Sequence, residues 1–459
     1  MAEVGSLPED VLSWIASAAG APVVSADRIP GGATREGWFV DVGRPEGPVR
    51  ELFLRFSPKP LPERSAFHRL ATEAAIMRAL GPTEVAVPTI VAVHPEREAV
   101  LSERVAGATW FYRIGDPDEQ VRVADDFMRN LAALHRLDPA TLGIEPLGPV
   151  ASPRRHAIER LAAIRRRGTG PDGSMDPLLR FTVDWLEAHV PDYDGPAVLV
   201  QGDTGPGNFM YQDGRVTAVV DWELAHWGDP MDDIAWVSLR TVQDTFTHLP
   251  DRLKTYSALS GYEIDEQRIW YYRLFAEATM TTLYPHEGEQ EAARDTSRSD
   301  IGNLLIYRQL HRRLWLEALM KVMGLDLPEP ELPEPVAVPE WHHLYGEILG
   351  TLRTIAPRIA DPLAGQWVKG VARVVKYLED LDRSGRDFAA LELEEIGSLL
   401  GRRPPSLEEG RRALADAVRA GQVGGEDYVR YMWHRTCRDD RLMRGASGAL
   451  HERTWPPVL

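Results

Sequence analysis

A single cysteine, no long apolar run and a shortage of positive charge mark this sequence first by omission. Cys437 is the only cysteine among 459 residues, so no internal disulfide can form and a reducing compartment is expected. Its thiol is read as buried or incidental, not as a nucleophile. No uninterrupted apolar stretch reaches the roughly 20 residues that a membrane-spanning helix needs. Pro88 breaks the best candidate, residues 85–93. The opening MAEVGSLPEDVLSW lacks the basic start and apolar core of a signal peptide. The formal net charge of −17 removes the basic surface that non-specific nucleic-acid binding requires. Lysine is especially scarce, with Lys59 alone in the first 250 residues. The expectation is a soluble cytoplasmic protein with neither a nucleic-acid nor a membrane partner. At 44% hydrophobic and 26% charged, the chain has enough apolar residues for two or three packed domains.

What is present concentrates in residues 198–236, VLVQGDTGPGNFMYQDGRVTAVVDWELAHWGDPMDDIAW. Two β-branched runs, 198–200 and 216–220, read as short strands, and residues 202–207 must form a tight glycine-rich loop. Asp203, Asn208 and Asp221 are thereby placed at strand ends and in a constrained loop. Singly, each would be an ordinary turn or cap residue. Together they suit phosphoryl transfer, in which one carboxylate orients and deprotonates the accepting hydroxyl. An amide five residues on and a carboxylate on the next strand then hold magnesium on the nucleotide phosphates. Magnesium takes hard oxygen ligands, one or two from the protein, so this sparse set is sufficient.

The same run resembles the catalytic segment of the aminoglycoside phosphotransferase and choline kinase-like superfamily, whose fold is similar to that of protein kinases. The matching residues are Gln201-Gly202-Asp203, Asn208, Asp221-Trp222-Glu223, Gly228-Asp229-Pro230, Asp233 and Ala235. Gln201 stands where the family usually has a loop-bracing histidine. The resemblance implies an α+β, bilobal, protein-kinase-like fold, with a small β-rich N-lobe and a mostly helical C-lobe. It also implies ATP and Mg2+ as cofactors, Asp203 as the catalytic residue, and Asn208 and Asp221 as metal ligands.

Ahead of that segment, Ser6-x-x-Glu9 reads as a capping box opening an amphipathic helix closed by Gly20. Residues 23–29 and 38–42 read as strands flanking a glycine-rich loop, in which Gly31 and Gly32 resemble the family's phosphate-covering turn. Residues 51–56 (ELFLRF) form the third strand. The family places a basic residue here, paired with a glutamate on the next helix. Arg55 takes that place, with Lys59 as its rival in a proline-rich loop, and Glu73 in the helix of residues 63–80 is the partner. Leu54-Arg55-Phe56-Ser57-Pro58 resembles the branch that includes the kinase-like domain of the acyl-CoA dehydrogenase 10 group. Residues 85–93 and 99–105 read as strands. The second resembles the adenine-holding hinge, which nominates Ser102, Glu103 and Arg104 as nucleotide contacts through their main chain.

Residues 125–137 form an amphipathic helix in which His135 is read as a packing and hydrogen-bonding residue. Residues 153–168 carry the one basic cluster, Arg154, Arg155, Arg160, Arg165, Arg166 and Arg167. It is either a solvated helix face or a site for an anionic acceptor. Asp229 and Asp233 are expected to cap and brace. Further helices are expected over 253–259, 269–283 and 301–323. Residues 327–339 (LPEPELPEPVAVP) read as a stiff linker. Beyond it, helices over 344–355, 363–381, 388–400, 407–420 and 426–433 carry no chemical motif.

The expected organisation is an N-lobe over 1–105, a C-lobe over 106–326, a linker over 327–340 and a helical domain over 341–459. That last domain is read as a bundle packing on the kinase or joining two copies into a homodimer. The expected function is ATP- and Mg-dependent O-phosphorylation of a small-molecule hydroxyl, favouring a hydroxyacyl-CoA-type acceptor. The alternatives are an antibiotic (macrolide or aminoglycoside) phosphotransferase and a nucleotide-binding pseudokinase with an interaction tail.

Overall fold

A computed structural model describes residues 7–29, 35–43, 47–58, 67–283, 301–335, 338 and 340–459. The chain folds into two compact units. The first comprises residues 1–173, 183–276 and 455–459; the second comprises 174–182 and 277–454.

In the first unit a helix, Glu9–Ala19, precedes a five-stranded sheet. The helix ends where Gly20 adopts φ 69° and its N–H reaches back to Ser17. Ser6 of the expected capping box lies outside the described residues, and among the described residues no side chain caps this helix. The strands are β1 (Val23–Ile29), β2 (Glu36–Val42), β3 (Arg50–Phe56), β4 (Ile90–Val93) and β5 (Ala99–Glu103). Their order is β1-β2-β3-β5-β4, and every pairing is antiparallel. Alternation along β3 points Leu52, Leu54 and Phe56 into a core with Val11, Ile15, Trp38, Val40 and Leu101. Each such side chain contributes about 1.5–3 kcal/mol by leaving water. The same alternation turns Arg55 to the opposite face.

The strand expected over 85–93 is shorter than predicted, because only Ile90–Val93 joins the sheet. Pro88 has no N–H for a ladder, and the residues before it bond elsewhere. The N–H of Ala86 donates to Asn130 Oδ1 at 3.0 Å, and its carbonyl accepts from the N–H of Val219 at 2.7 Å.

The helix Leu70–Leu80 follows β3, and Pro117–Arg136 opens the helical half with Asp116 as N-cap. Residues 198–228 build two small ribbons. β6 (Val198–Val200) pairs with β9 (His226–Gly228), and β7 (Phe209–Gln212) pairs with β8 (Arg215–Val219). The sequence reading missed β7 and β9. Asp213 and Gly214, at φ 52° and 75°, make the tight turn of the β7–β8 hairpin. The helix Pro230–Gln243 comes next, capped by the Asp229 carboxylate on the N–H of Met231. The last residues return to this unit: Arg273 donates to the Pro456 carbonyl and its guanidinium lies 4.9 Å from the Trp455 ring. The chain is thus α+β with an antiparallel N-terminal sheet and a mostly helical remainder, the kinase-like arrangement expected.

The second unit is helical. Its main elements are Ile301–Met323, His342–Ile355, Pro362–Leu400, Leu407–Arg419 and Gly425–Ser447. The two helices expected over 363–381 and 388–400 are one helix of 39 residues. Ser384 and Gly385 lie in the gap expected between them, and the helix runs through both. Ser384 is buried, so packing against the rest of the unit holds the helix through this point. Glycine costs a helix only about 1 kcal/mol, which tertiary contacts override. The helix expected over 426–433 likewise continues to Ser447. The proline-rich segment lies within this unit.

Candidate active site

The loop between β6 and β7 is held from beneath by one carboxylate. Asp233, fully buried, accepts from the N–H groups of Gln201 and Gly202 at 2.9 Å each and from the Thr204 hydroxyl. His135 lies 3.0 Å from the same carboxylate and 2.7 Å from the Tyr256 hydroxyl, so it packs and bonds as expected. The loop conformation is therefore fixed by buried, charge-assisted bonds before any ligand arrives.

On that loop Asp203 and Asn208 face each other. Asn208 Nδ2 donates to Asp203 Oδ2 at 2.6 Å and to the Asp203 carbonyl at 2.7 Å. Its Oδ1 is thereby turned the other way, where Arg240 Nη2 donates to it at 2.9 Å. Arg240 Nε sits 3.7 Å from Asp203 Oδ1 and donates to the Pro206 carbonyl at 3.2 Å. Two glycines make room for this arginine. A Cβ on Gly205 would lie 2.6 Å from Arg240 Cβ, and one on Gly207 would lie 2.8 Å from Nη2. Both glycines also have positive φ, at 143° and 93°.

Asp221 leaves β8 with φ 64°, an uncommon left-handed conformation for a residue other than glycine. Gln201 holds it there. Its Nε2 donates to the carbonyls of Val220 at 3.0 Å and Asp221 at 2.7 Å, and its Oε1 accepts from the Asp203 N–H at 3.2 Å. Glutamine thus joins the two aspartate-bearing segments with both ends of its amide.

Across the cleft, Arg55 brings β3 to the helix and to Asp221. Its Nη1 donates to Glu73 at 2.9 Å, and its Nη2 lies 3.2 Å from Asp221 and 3.7 Å from Glu223. Glu73 is buried and takes a second guanidinium, that of Arg35, which also contacts Glu223 at 3.2 Å and the His68 carbonyl. Two guanidinium groups therefore meet three carboxylates. Burial and then the Arg55 and Arg35 charges oppose each other at Glu73, and burial wins, raising its pKa. Glu223 is pushed up to about 8 by burial and by Asp221, against the two arginines. Burial disfavours the Arg55 charge, yet Glu73, Asp221 and Glu223 together raise its pKa. Two cations thus face three carboxyl groups, one of which, Glu223, is largely protonated near neutral pH.

Of the remaining sequence candidates, Gly31, Gly32 and the rival Lys59 lie outside the described residues. Ser102, Glu103 and Arg104 need correction as main-chain donors. The N–H of Glu103 already bonds the Thr89 carbonyl at 2.9 Å, and that of Arg104 bonds the Glu51 carbonyl at 3.2 Å. Ser102 is paired with Phe53 in the β3–β5 ladder. These bonds consume the amides of Glu103 and Arg104. The side chains of Glu103 and Arg104 pair with Arg50 and Glu51.

The arginine cluster is largely spoken for. Arg154 donates to the Val190 carbonyl, Arg155 pairs with Glu159, Arg160 with Asp232, and Arg165 with Asp184 and Glu187. Arg167 is pushed down to about 10 by burial and by Arg160 and Arg166. Arg35, Glu223 and Arg240 are the charged residues that sequence reasoning did not assign. Only Arg35 and Glu223, within recognised motifs, carried a usable signal.

Asn208 Oδ1 and the Asp221 carboxylate are the hard oxygen donors on the loop and strand end. No cluster of three or more His, Cys, Asp or Glu suited to a metal exists among the described residues. Two protein ligands fit Mg2+, which completes its shell with phosphate oxygens and water, and do not fit a closed structural metal site.

The profile of the phosphotransferase enzyme family matches residues 25–293. Acyl-CoA dehydrogenase family member 11 of Rattus norvegicus is 32% identical over 125 residues, which are 27% of this chain and 16% of that protein. Family member 10 of Mus musculus is 25% identical over 202 residues, 41% of this chain and 18% of its own length. The matched part is thus under a fifth of either relative. Among solved structures, the macrolide 2′-phosphotransferase MphH of Brachybacterium faecium aligns with a TM-score of 0.44 at 20% identity, covering 71% of this chain and all of that one. No helix among the described residues is long and apolar enough to cross a membrane.

Proposed function

The chain belongs to the phosphotransferase enzyme family, and from that premise we propose that it is an ATP- and Mg2+-dependent O-phosphotransferase acting on a small hydroxyl compound in the cytoplasm. The observation that carries this reading is the joint placement of Asp203, Asn208 and Asp221 by Gln201 and Asp233. Asp203 accepts the hydroxyl proton of the acceptor and aims its oxygen. Asn208 fixes the Asp203 carboxylate through Nδ2 and offers Oδ1 toward the metal, while Asp221 offers its carboxylate. When bound, Mg2+ would neutralise charge developing on the transferred phosphoryl group. Arg55, steadied by Glu73, supplies a fixed guanidinium for the nucleotide phosphates.

For the acceptor we favour a hydroxyacyl-CoA-type or similarly anionic hydroxyl compound. The matched relatives are named as acyl-CoA dehydrogenases, and Arg240 lies beside the base and has donors to spare. Of its five N–H groups three have partners, one of them Gln243 Oε1 at the limiting 3.5 Å. A cation at this place favours an anionic acceptor over a polycationic aminoglycoside.

The test is ADP release from Mg-ATP across hydroxyacyl-CoAs, sugars, choline and antibiotics, with wild type beside Asp203→Ala and Asp221→Ala. Stimulation by hydroxyacyl-CoA should vanish in Asp203→Ala while nucleotide binding survives. Asp221→Ala should lose Mg2+-dependent nucleotide binding too. Full turnover in Asp203→Ala would overturn the assignment.

A further inference from the structure

The second unit contains a cleft of about 300 Å³ with an unusual lining. Five arginines border it, Arg312, Arg411, Arg412, Arg419 and Arg435, against two carboxylates, Asp176 and Asp416. That is a surplus of three positive charges (5 − 2) in a chain whose net charge is −17. The helical repeat explains how they gather. Residues 411, 415 and 419 share one face of Leu407–Arg419, and residues 428, 431, 432 and 435 form a stripe on Gly425–Ser447.

The acceptors around the cleft do not use up these donors. Glu392, behind the wall and buried, takes a two-pronged pair of bonds from Arg411 at 2.6 and 2.7 Å and one from the Tyr431 hydroxyl at 2.8 Å. Arg435 approaches the same carboxylate only to 3.8 Å, and its buried Nε has no hydrogen-bond partner. Arg412 pairs with Glu408, and Arg419 with Asp416. Both pairs lie within a single helix and are well exposed, so they are weak and exchangeable. Arg312 enters no ion pair among the described residues. The other nearby carboxyl is Asp439, close to Arg435 and Arg312. Burial pushes its pKa up, against the charges of Arg435 and Arg312.

We propose that this cleft is a binding site for a phosphate-bearing small molecule, seated on Arg312 and Arg435 with Arg411, Arg412 and Arg419 around it. Several guanidinium groups converging from different helices match the oxygens of a phosphate or diphosphate. The rest of the wall is Tyr428, Tyr431, Met432 and Leu414, with the two rings inclined by only 30°. That surface takes an apolar or planar portion of the ligand. The volume falls at the small end of ligand sites, which span about 300–1,000 Å³. The site lies apart from Asp203, Asn208 and Asp221 in the sequence and needs none of them, so it does not rest on the phosphotransferase reading.

The experiment is calorimetric titration of the full chain in EDTA with inorganic pyrophosphate, ADP and phenyl phosphate. Wild type, Arg312→Gln, the double variant Arg312→Ala/Arg435→Ala and Asp221→Ala are compared. Wild type should bind at least one of these. Arg312→Gln, which loses no ion pair, and the double variant should each weaken binding by about tenfold or more. Asp221→Ala should bind as wild type does. Unchanged circular dichroism and melting temperature in Arg312→Gln would show that the fold is intact. Pyrophosphate binding as tightly as ADP would identify an inorganic phosphate site, and tighter ADP or phenyl phosphate would identify an aromatic phosphate ester. No binding by wild type up to about 10 mM would overturn the proposal. Binding that survives both arginine variants but disappears in Asp221→Ala would overturn it equally, by placing the anion at the catalytic segment.

Discussion

Glu73 offers the sharpest test of the charge network around Arg55. Its carboxylate is about 1% exposed and accepts from Arg35 on one oxygen and Arg55 on the other. Replacement by glutamine keeps the shape but turns an NH2 group toward one of the two guanidinium groups, so two donors face each other. Removing one member of a buried ion pair costs about 3–5 kcal/mol. The lower end applies here. The cluster begins with two cations and three carboxyl groups, and Glu73 is among the charges that raise Glu223, so losing Glu73 lets Glu223 ionise more readily and, with Asp221, face Arg35 and Arg55. The damage is then local geometry at Arg35, whose side chain is 2% exposed. A loss of about 3 kcal/mol, at roughly 2–4 °C per kcal/mol for a domain of this size, lowers the melting temperature by about 6–12 °C.

The assay is thermal unfolding followed by circular dichroism, with urea midpoints as a second scale. Two units need not melt together, so the transition that shifts must also be the one that ADP stabilises. The double replacement Arg35→Met/Glu73→Leu removes both buried charges and should recover most of the loss, since apolar substitutes for a buried pair are often neutral or better. Glu73→Gln melting within about 1 °C of wild type would refute the reasoning. So would a double variant no more stable than the single one.

Three further outcomes are expected. Gln201→Leu, which removes the donors to the Val220 and Asp221 carbonyls, should slow ADP release by about 10- to 100-fold through misplacement of Asp203 and Asp221, and Gln201→His should restore much of it. Arg240→Gln, which withdraws a cation from Asn208 Oδ1 and Asp203, should tighten Mn2+ binding measured by electron paramagnetic resonance with ADP present; weaker binding would show that the guanidinium supports the metal site. Asp229 is raised to about 6 by burial, against Arg268 and the Met231 N–H, so the folded protein holds its proton more tightly than the unfolded chain does. Its contribution to stability is full below about pH 4 and is lost as pH rises through about 6, by up to about 3 kcal/mol. Wild type should therefore lose stability relative to Asp229→Asn between pH 4 and 7 in urea titrations, and a constant difference would contradict this.

Much of the first unit was legible because its chemistry is packed into short motifs. Asp203, Asn208 and Asp221 sit within nineteen residues of one another, and Arg55 and Glu73 are separated by a single strand-to-helix connection. Arg240 was not legible. It reaches Asn208 from 32 residues away, and only the absent side chains of Gly205 and Gly207 create its place. The β7–β8 hairpin did carry a signal, Asp213-Gly214 between alternating residues, which the sequence reading passed over. The extent of the helix Pro362–Leu400 carried none, because Ser384 and Gly385 favour a break locally and only packing overrides that preference. The engagement of the Glu103 and Arg104 amides was not legible for a related reason: an extended run reads alike whether its amides continue a sheet or face a ligand.

Two departures from the family pattern, Arg55 and Gln201, argue from sequence for a degenerate kinase. Their surroundings argue the other way. An arginine placed where lysine is usual must find room for a wide fork, and here the fork is filled: Glu73 on one prong, Asp221 and Glu223 on the other. A glutamine in place of histidine must supply bracing from a neutral amide, and it does so in three directions while Asp233 fixes the amide nitrogens of the loop. A chain released from the need for catalysis has no reason to keep Asp221 in a left-handed conformation, which is unfavourable for aspartate without support. Strain at Asp221 held in place by the Gln201 amide is the feature that argues for a site kept for use.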